Sequence, residues 1–472
     1  MNARGRAFEL LPSTIFATAA IIGVLAALQP VVAVAAAAGV IVAYVVFNDL
    51  AMGFAVLAFL SFLDTLSSGS LSPAKGVGLL LVVAWLGHFS VGGRGQRDFF
   101  AEHSHLTWVL IAFIGWGTAS LLWATQLGPG LASLSRYAPN MLLLPIAYTA
   151  MRTRRDLALV LGAIVLGAIV AASFGILQPA DPTEVVESSR ATGTIGDPNE
   201  LAAVLLVGLA LGAGFLVGRG RSPLMRLAAA LAVPLCAAGV FLSLSRGGLV
   251  ALGALLIAGT VFAGRWRLAI TAMLVAVAVG GIVYFTELAP LPARERVTSA
   301  NGGSGRTDLW TVGWRMVQAH PVTGVGIGNF PAVSANYVLQ PGATQRADLI
   351  FSSAPKVTHN TYLEVMAEIG VPGLLLFVAA IVTCMGCALK AARIWARRGQ
   401  ASAEALARSV FLGLVGMLSA DFFISDMFSK LLWVMLALGP AMLAIARSES
   451  EEQPLKASAG QSPEASATVA SS

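Results

Sequence analysis

Apolar segments long enough to cross a lipid bilayer follow one another along almost the whole of this chain. A helix needs ~20 mainly apolar residues to span the membrane. The composition agrees, because 57% of the residues are hydrophobic and 11% are charged, whereas a soluble domain carries about 25% charged residues. We therefore predict an all-α, polytopic membrane helix bundle of about 12 to 14 spans. The predicted spans lie at residues 12–28, 30–47, 51–66, 73–91, 106–124, 130–150, 157–178, 197–218, 224–243, 247–263, 267–286, 371–393, 408–425 and 427–446.

Basic residues form short clusters between the apolar segments, which is the pattern that sets membrane topology. Positive residues favour the cytoplasmic side, so both chain termini are predicted to lie in the cytoplasm. The net charge of +6 then reflects orientation in the membrane, and it gives no indication of a nucleic-acid partner.

The chain divides into three parts. Residues 1–178 are predicted to form N-terminal membrane helices, and residues 179–447 form a second membrane region that contains a large extracytoplasmic loop at 287–370. Residues 448–472 are rich in Ser, Ala and Glu, a composition typical of disorder, and are predicted to be a cytoplasmic tail.

The extracytoplasmic loop is predicted to contain two short helices. Residues 307–320 have an amphipathic pattern in which Trp310, Trp314 and Val317 recur at helical spacing. Residues 359–369 form a second helix, which a link containing glycine and proline separates from the next span. Helices interrupted near a membrane surface often present their ends to a ligand.

Two motifs that resemble ligand sites are interpreted as structural. Cys384 and Cys387 lie inside an apolar segment, as does Cys236, and are predicted to pack within membrane helices. The glycine-rich residues 324–329 lack the strand and helix of a nucleotide fold, so they are predicted to form tight turns. We find no Cys/His cluster and no acidic pair in the outer loops, and we predict neither a metal site nor a cofactor.

Topology explains 19 of the 30 Lys and Arg residues. Three of the other 11 point to an anionic ligand. Arg246 lies in a short link between two strongly apolar spans, where an arginine is costly unless it is paired or faces a polar cavity. Arg190 precedes a turn-rich segment, and Arg306 lies at a helix start, where backbone N–H groups also favour anions. Each arginine also has an alternative explanation. Arg246 would extend to the lipid headgroups, Arg190 would be an ordinary loop charge, and Arg306 would be a solvated charge at a helix start. Guanidinium groups bind phosphate in a bidentate way, so together the three suit a diphosphate.

His359 is the strongest candidate for proton transfer. It lies at a predicted helix start, where Thr358 is expected to cap the helix. A helix N-terminus disfavours an imidazolium, so the ring would stay neutral and able to accept a proton. The alternative is a histidine that only caps the helix. Glu364 and Glu368 are the next candidates, one to three turns further along the same helix.

The order and spacing of these segments resemble the O-antigen ligase and polysaccharide polymerase superfamily of bacterial envelopes. Single segments are not specific, and the resemblance by motif covers roughly residues 180–390. The matching segments are Arg190 with residues 193–199, and residues 245–248, 305–310, 321–330, 359–364 and 368–373.

The resemblance implies a metal-independent, inverting glycosyltransferase of the bacterial inner membrane with its active site facing the periplasm. The donor would be a polyprenyl-diphosphate-linked glycan, and the acceptor would be lipid A–core or a growing glycan. Arg190 and Arg246 would hold the diphosphate with support from Arg306, and His359 would activate the acceptor hydroxyl. The same segments supply residues expected to support them, namely Asn199, Gly326, Asn329, Asn360 and Glu364.

Several functions remain open at this stage. Ligases, polymerases and enzymes that transfer glycans to protein share these motifs, and the last is disfavoured because no extra soluble domain follows the motif region. A transporter or flippase of lipid-linked sugars is an alternative of a different class. It should carry charge along a lumen in both halves, whereas the unexplained charge here gathers at one face.

Overall fold

Every regular element in the described part of the chain is a helix, as the sequence predicts. The computed structural model describes residues 27, 29–63, 65, 72–91, 97–178, 190–218, 222–298, 306–338 and 357–459. The α-helices, numbered in chain order, are α1 (Pro30–Asn48), α2 (Leu50–Leu60), α3 (Pro73–Val91), α4 (Phe99–Glu102), α5 (Ser104–Ala119), α6 (Leu127–Ala150), α7 (Arg154–Leu177), α8 (Pro198–Val217), α9 (Pro223–Leu242), α10 (Arg246–Phe262), α11 (Arg267–Val283), α12 (Leu291–Thr298), α13 (Arg306–Ala319), α14 (Phe330–Val338), α15 (Thr361–Arg397), α16 (Ala401–Ala420) and α17 (Lys430–Ala459).

The helices form a polytopic membrane bundle. Among the described residues, eight helices are long and apolar enough to cross a membrane, and four shorter apolar helices accompany them. Helix α8, Pro198–Val217, matches the predicted span 197–218 to within one residue at each end. The first predicted span, 12–28, lies outside the described residues except for residue 27.

Helices α8 and α17 form the centre of the bundle. Their apolar windows are 83% and 89% buried, compared with 17% for the segment that contains α11. Small residues allow the central helices to pack closely: a Cβ atom at Gly208 would lie 2.4 Å from Cβ of Ala168 and 2.8 Å from Sγ of Cys236. All three cysteines are buried and unpaired, which confirms their predicted packing role.

Helix α15 is broken by a kink that divides it into a short first segment and a membrane span. The backbone is non-helical at Ile369 and at Gly370, where φ is +70°. A Cβ atom at Gly370 would lie 2.1 Å from the carbonyl oxygen of Val322, and one at Gly324 would lie 2.2 Å from that of Glu368. The two glycines therefore allow the turn at residues 321–328 to touch the kink, and the predicted break in the helix is confirmed.

Helices α13 and α14 pack on residues 361–368 of α15 and form a small apolar core outside the main bundle. The predicted amphipathic helix is present as α13, but its predicted apolar face is wrong in part. Val317 is buried, whereas Trp314 is 52% exposed. The buried face instead includes Val312 and Gly313, because Gly313 packs directly against the side chain of Leu363.

The chain remains helical beyond the point at which a disordered tail was predicted. Helix α17 continues past Ser448 to Ala459. Contacts at residues 448 and 449 tie this part of α17 to the bundle, since Arg97 Nη2 donates to Ser448 Oγ at 2.8 Å and Arg154 pairs with Glu449 at 2.6 Å. The remaining residues, 460–472, lie outside the described part of the chain.

Candidate functional site

Arg190 is held in place at one end of the bundle, which we call the polar end. Its side chain is buried, with Nε donating to the carbonyl of Ser243 and Nη2 donating to Oδ1 of Asn199, each at 2.9 Å. Oδ1 of Asn199 also accepts a hydrogen bond from Ser245 Oγ at 2.9 Å. Asn199 therefore connects the segment before α8 to the link between α9 and α10.

This network brings Arg190 close to Arg246, as the sequence analysis expected. Arg246 is the first residue of α10, and Ser245 caps that helix by accepting a hydrogen bond from Gly248 N at 3.1 Å. The preceding residue, Leu244, has φ of +50°, an uncommon conformation for a side chain of its size. The constrained turn fixes the start of α10. One hydrogen-bonded network therefore positions the backbone segments of both Arg190 and Arg246.

His359 lies two residues before the start of α15, and Asn360 rather than Thr358 caps that helix. Oδ1 of Asn360 accepts a hydrogen bond from Leu363 N at 3.0 Å. The predicted capping role of Thr358 is therefore wrong. The Thr358 hydroxyl accepts a hydrogen bond from Asn360 N at 3.1 Å and donates one to Glu364 Oε2 at 3.1 Å. His359 has φ of +52°, in the left-handed region that histidine enters more readily than most residues. Such conformations are often found at functional sites.

The two glutamates considered as alternative bases hold loops in place. Glu364 is buried, and its carboxylate accepts hydrogen bonds from Thr358 and Ser425. Glu368 is also buried and accepts from Gly328 N at 2.8 Å and Phe330 N at 3.2 Å. Both carboxylates therefore have hydrogen-bond donors within the protein as their partners.

The link between α16 and α17 joins the arginine side of the cluster to His359. Phe423 packs against Gly247, next to Arg246, because a Cβ atom at Gly247 would lie 2.6 Å from Cβ of Phe423. The same ring lies 6.3 Å from the ring of Trp310, whose indole N–H donates to the Thr358 carbonyl at 3.1 Å.

Arg306 approaches the same region from α13. It is the first residue of that helix and lies one turn before Trp310, so both residues share a helix face. Arg246, Arg306 and His359 therefore lie on chain segments that converge around Phe423.

Asp421 is a candidate residue that the sequence analysis missed. It follows α16, and its backbone carbonyl accepts a hydrogen bond from Thr361 N at 2.9 Å. Its side chain is fully buried, and neither carboxylate oxygen has a hydrogen-bond partner among the described residues. Burial, and next the negative charge of Glu200, raise the pKa of Asp421 well above its usual range. The signal in the sequence was an acidic residue inside the apolar segment predicted as span 408–425.

Gly326 and Asn329 lie in the framework rather than in the cluster. The side chain of Asn329 bonds both backbone groups of Gln126, at 2.8 Å and 3.0 Å, and thereby ties the glycine turn to the link before α6. Gly326 N donates to the carbonyl of Glu368 at 2.8 Å. The structure therefore does not bring these two residues to the arginines, and it places them beside the kink of α15.

The arrangement is suited to an anionic ligand. Within the described ranges, no group of three or more His, Cys, Asp or Glu side chains is placed to hold a metal ion. Arg190, Arg246 and Arg306 bring positive charge to the polar end, and guanidinium groups retain it at any working pH.

The comparison with protein families agrees with this geometry. Residues 227–378 match the model described as O-antigen ligase. The matched part extends from α9 into the membrane span of α15, so it contains Arg246, Arg306 and His359, whereas Arg190 and Asp421 lie outside it. The match confirms the predicted resemblance, because residues 227–378 of this multi-pass membrane protein are similar to the O-antigen ligase family. No curated protein matches the chain.

Proposed function

We propose that this protein is a glycosyltransferase of the bacterial inner membrane. It transfers a glycan from a polyprenyl-diphosphate donor to an acceptor sugar hydroxyl at the periplasmic face. The observation that carries the proposal is the joining of Arg190 to the Arg246 turn through Asn199 and Ser245, with His359 on the other side of Phe423. The match of residues 227–378 to the O-antigen ligase family supports the same class of reaction.

Arg190 and Arg246 bind the diphosphate of the donor in this proposal. Arg190 is oriented by two hydrogen bonds to the framework, so its guanidinium group requires little reorganisation when the ligand arrives. Negative charge builds up on the diphosphate as the bond to the sugar breaks, and fixed cations stabilise that charge. Arg306 contributes from the first turn of α13.

His359 acts as the general base in the proposed step. The imidazole takes the proton of the acceptor hydroxyl while the hydroxyl oxygen attacks the anomeric carbon of the donor. The bond from that carbon to the diphosphate oxygen breaks, and its electron pair leaves with the diphosphate. Attack from the opposite face inverts the anomeric configuration. The protein's own residues supply both the base and the positive charge, so the step as written uses no cofactor.

The test is transfer of radiolabelled glycan by the purified protein in lipid nanodiscs, with excess EDTA present. Arg246→Ala is expected to lower transfer by ~100- to 1,000-fold, the cost of removing a group that stabilises developing charge. Arg246→Lys should also be damaging, because an ammonium group lacks the planar fork of guanidinium. Arg294→Ala is the matched control, because Arg294 lies in α12 and its Nε donates to the nearby carbonyl of Ala289.

Full activity of both Arg246 variants at normal expression would contradict the diphosphate assignment. The identity of the product separates the alternatives. A ligase joins the glycan to lipid A–core, a polymerase lengthens the glycan on its own carrier, and a flippase returns the donor chemically unchanged. We favour a ligase that transfers to lipid A–core, because residues 227–378 match the model described as O-antigen ligase.

A further inference from the structure

A polar cavity lies beside the glycine turn, away from Arg190, Arg246 and Arg306. Its volume is about 620 Å³, within the range of small-molecule sites. We call it the turn cavity, and its lining includes Trp123, Thr125, His320, Asn336 and Tyr337. Its walls come from the link after α5, the turn after α13 and the helix α14.

The lining defines the chemistry of a ligand. Trp123 and Tyr337 offer aromatic surface, while Thr125, His320 and Asn336 offer hydroxyl, imidazole and amide groups. No carboxylate, lysine or arginine belongs to the described lining. A cavity of this kind suits a neutral molecule that has apolar faces and many hydroxyl groups, which describes a sugar ring. It lacks the cations that a phosphate requires.

The aromatic wall is held in a fixed orientation. Trp123 Nε1 donates to the Thr323 carbonyl at 3.2 Å, and the Trp123 ring lies 5.7 Å from that of Trp116. Trp116 is fixed in turn by a hydrogen bond of 2.7 Å to the carbonyl of Ile369. On the opposite side, Arg315 Nη1 donates to the Tyr337 carbonyl at 2.7 Å. A wall that is already oriented loses little entropy when it binds a ligand.

The first segment of α15 connects the turn cavity to His359. Thr361 N, beside His359, donates to the carbonyls of Asp421 and Ile424, whereas the carbonyl of Glu368 accepts from Gly326 N in the turn. A helix rises ~1.5 Å per residue, so residues 361–369 separate the two sites by about 12 Å. This distance exceeds the length of one sugar ring, so a glycan that reacts at His359 reaches the cavity with a more distant sugar.

We infer that the turn cavity binds a sugar of the glycan several units from the reacting bond and so selects the glycan structure. The inference rests on the proposed function, because only a glycan substrate extends from His359 to this cavity. The sugar bound in the turn cavity could belong to the glycan of the donor or to the glycan of the acceptor, because both are neutral and rich in hydroxyl groups. The kinetic part of the test distinguishes these two sources.

The test measures binding and transfer with the full-length protein in nanodiscs. The probe is a set of oligosaccharides of increasing length, released from the surface polysaccharide of cells that make this protein. Trp123→Ala and Asn336→Ala are each expected to raise the Kd of the longer oligosaccharides by about 5- to 10-fold, the weakening for loss of an aromatic contact or a hydrogen bond. Asn336 is exposed, so its replacement leaves the fold intact.

Trp314→Ala is the matched control, because Trp314 is an exposed tryptophan on α13 that is absent from the cavity lining. His359→Gln should bind the oligosaccharides like the wild type while losing transfer. In the transfer assay, Asn336→Ala should raise one KM and leave kcat unchanged, and whether the donor or the acceptor KM rises identifies the glycan that occupies the cavity.

Equal Kd values for Asn336→Ala, Trp123→Ala and Trp314→Ala would overturn the cavity assignment, even if His359→Gln abolishes transfer. Conversely, binding that depends on Trp123 in a wild-type protein without transfer activity would retain the sugar site and reject the proposed enzyme. The two failures therefore have different signatures.

Discussion

His359 has a constrained backbone, and its chain segment converges with those of Arg246 and Arg306 around Phe423. Its φ of +52° is maintained by Asn360, which caps α15, and by Thr358, which is held by Glu364. A residue kept in a strained conformation by its neighbours is preorganised, which a general base requires. The carboxylates of Glu364 and Glu368 already accept hydrogen bonds from protein donors.

Replacing His359 is expected to remove the proton acceptor without removing the donor site. We expect His359→Gln to lower turnover by ~100- to 10,000-fold, the usual contribution of a positioned base. Binding of the polyprenyl-diphosphate donor should change little, because the arginines remain. Single-turnover transfer and a donor-binding assay measure the two quantities, and His105→Gln on the exposed surface of α5 is the control. Near-normal turnover of His359→Gln would reduce His359 to a structural role.

Asp421 predicts a dependence of stability on pH. Burial raises the pKa of Asp421, so folding favours its protonated form. The unfolded aspartate has a pKa near ~3.9. Asp421 therefore makes its full contribution to the free energy of unfolding at pH values below the pKa of the unfolded aspartate. The contribution is lost as the pH rises through the higher pKa of the folded state.

Asp421→Asn keeps the size of the side chain but cannot ionise. As the pH is raised from acidic to alkaline, we expect the melting temperature of the variant to fall less than that of the wild type. Thermal unfolding in detergent across that range measures the effect, and Asp308→Asn on α13 provides a second acidic position for comparison. Identical slopes for Asp421→Asn and the wild type would show that the Asp421 carboxyl is accommodated in its charged form.

The sequence predicted most of the cluster but not all of its connections. Arg190 and Arg246 could be identified because neither fits the rule that positive residues lie inside, and the structure joins their segments through Asn199. Asp421 was missed because hydropathy absorbed it into a predicted span. Whether a carboxylate is partnered depends on residues far away in the chain, and a single sequence does not contain that information.

The glycine contact between α15 and the turn at residues 321–328 can be tested by adding one methyl group. Gly370 has φ of +70°, and an added Cβ would lie 2.1 Å from the Val322 carbonyl oxygen. We expect Gly370→Ala to destabilise the protein by about 1–3 kcal/mol, the usual cost of a strained backbone position. The kink also holds the turn that lines the cavity, so oligosaccharide binding should weaken as well.

Gly386→Ala is the matched control for this variant. Gly386 lies in the membrane span of the same helix, and an added Cβ would meet nothing within 4 Å. An alanine there should leave stability unchanged or raise it by up to ~1 kcal/mol, because alanine favours helix. If both variants melt at the same temperature as the wild type, the kink does not depend on Gly370.

Helix α16 covers Ala401–Ala420 instead of the predicted span 408–425. Hydropathy predicted the bounds of most other membrane helices to within a few residues, because length and apolar composition alone decide what can span a bilayer. It predicted the contacts of individual faces less well. On α13 the exposed Trp314 follows the same spacing as the buried Val317, and only the position of Leu363 on α15 decides which side is covered. The continuation of α17 past Ser448 was missed for a similar reason, because Arg97 and Arg154 contact Ser448 and Glu449, where the composition favours disorder.

The two ends of the bundle differ in the kind of charge they carry. At the end opposite the polar cluster, Glu404 is paired with Arg265 at 2.7 Å and with Arg408 at 2.9 Å, and Arg408 Nη1 donates to the Phe262 carbonyl. Arg265 and Arg408 belong to the basic clusters between apolar segments, which are predicted to be cytoplasmic. Helices α10 and α16 connect the two ends, because Arg246 and Asp421 lie at their polar-end termini.

Membrane orientation is therefore the prediction on which the whole proposal depends. If the paired arginines mark the cytoplasm, Arg190, Arg246 and His359 face the periplasm, where the acceptor of a surface glycan is located. A phosphatase reporter, which is active only outside the cytoplasm, should be active when fused at Gly342, a position outside the described residues. It should be inactive when fused after Ser472, where a fluorescent protein that matures only in the cytoplasm should instead give signal. A silent phosphatase at Gly342 together with an active one after Ser472 would place the polar end in the cytoplasm, and a donor presented at the outer face could not then reach Arg246.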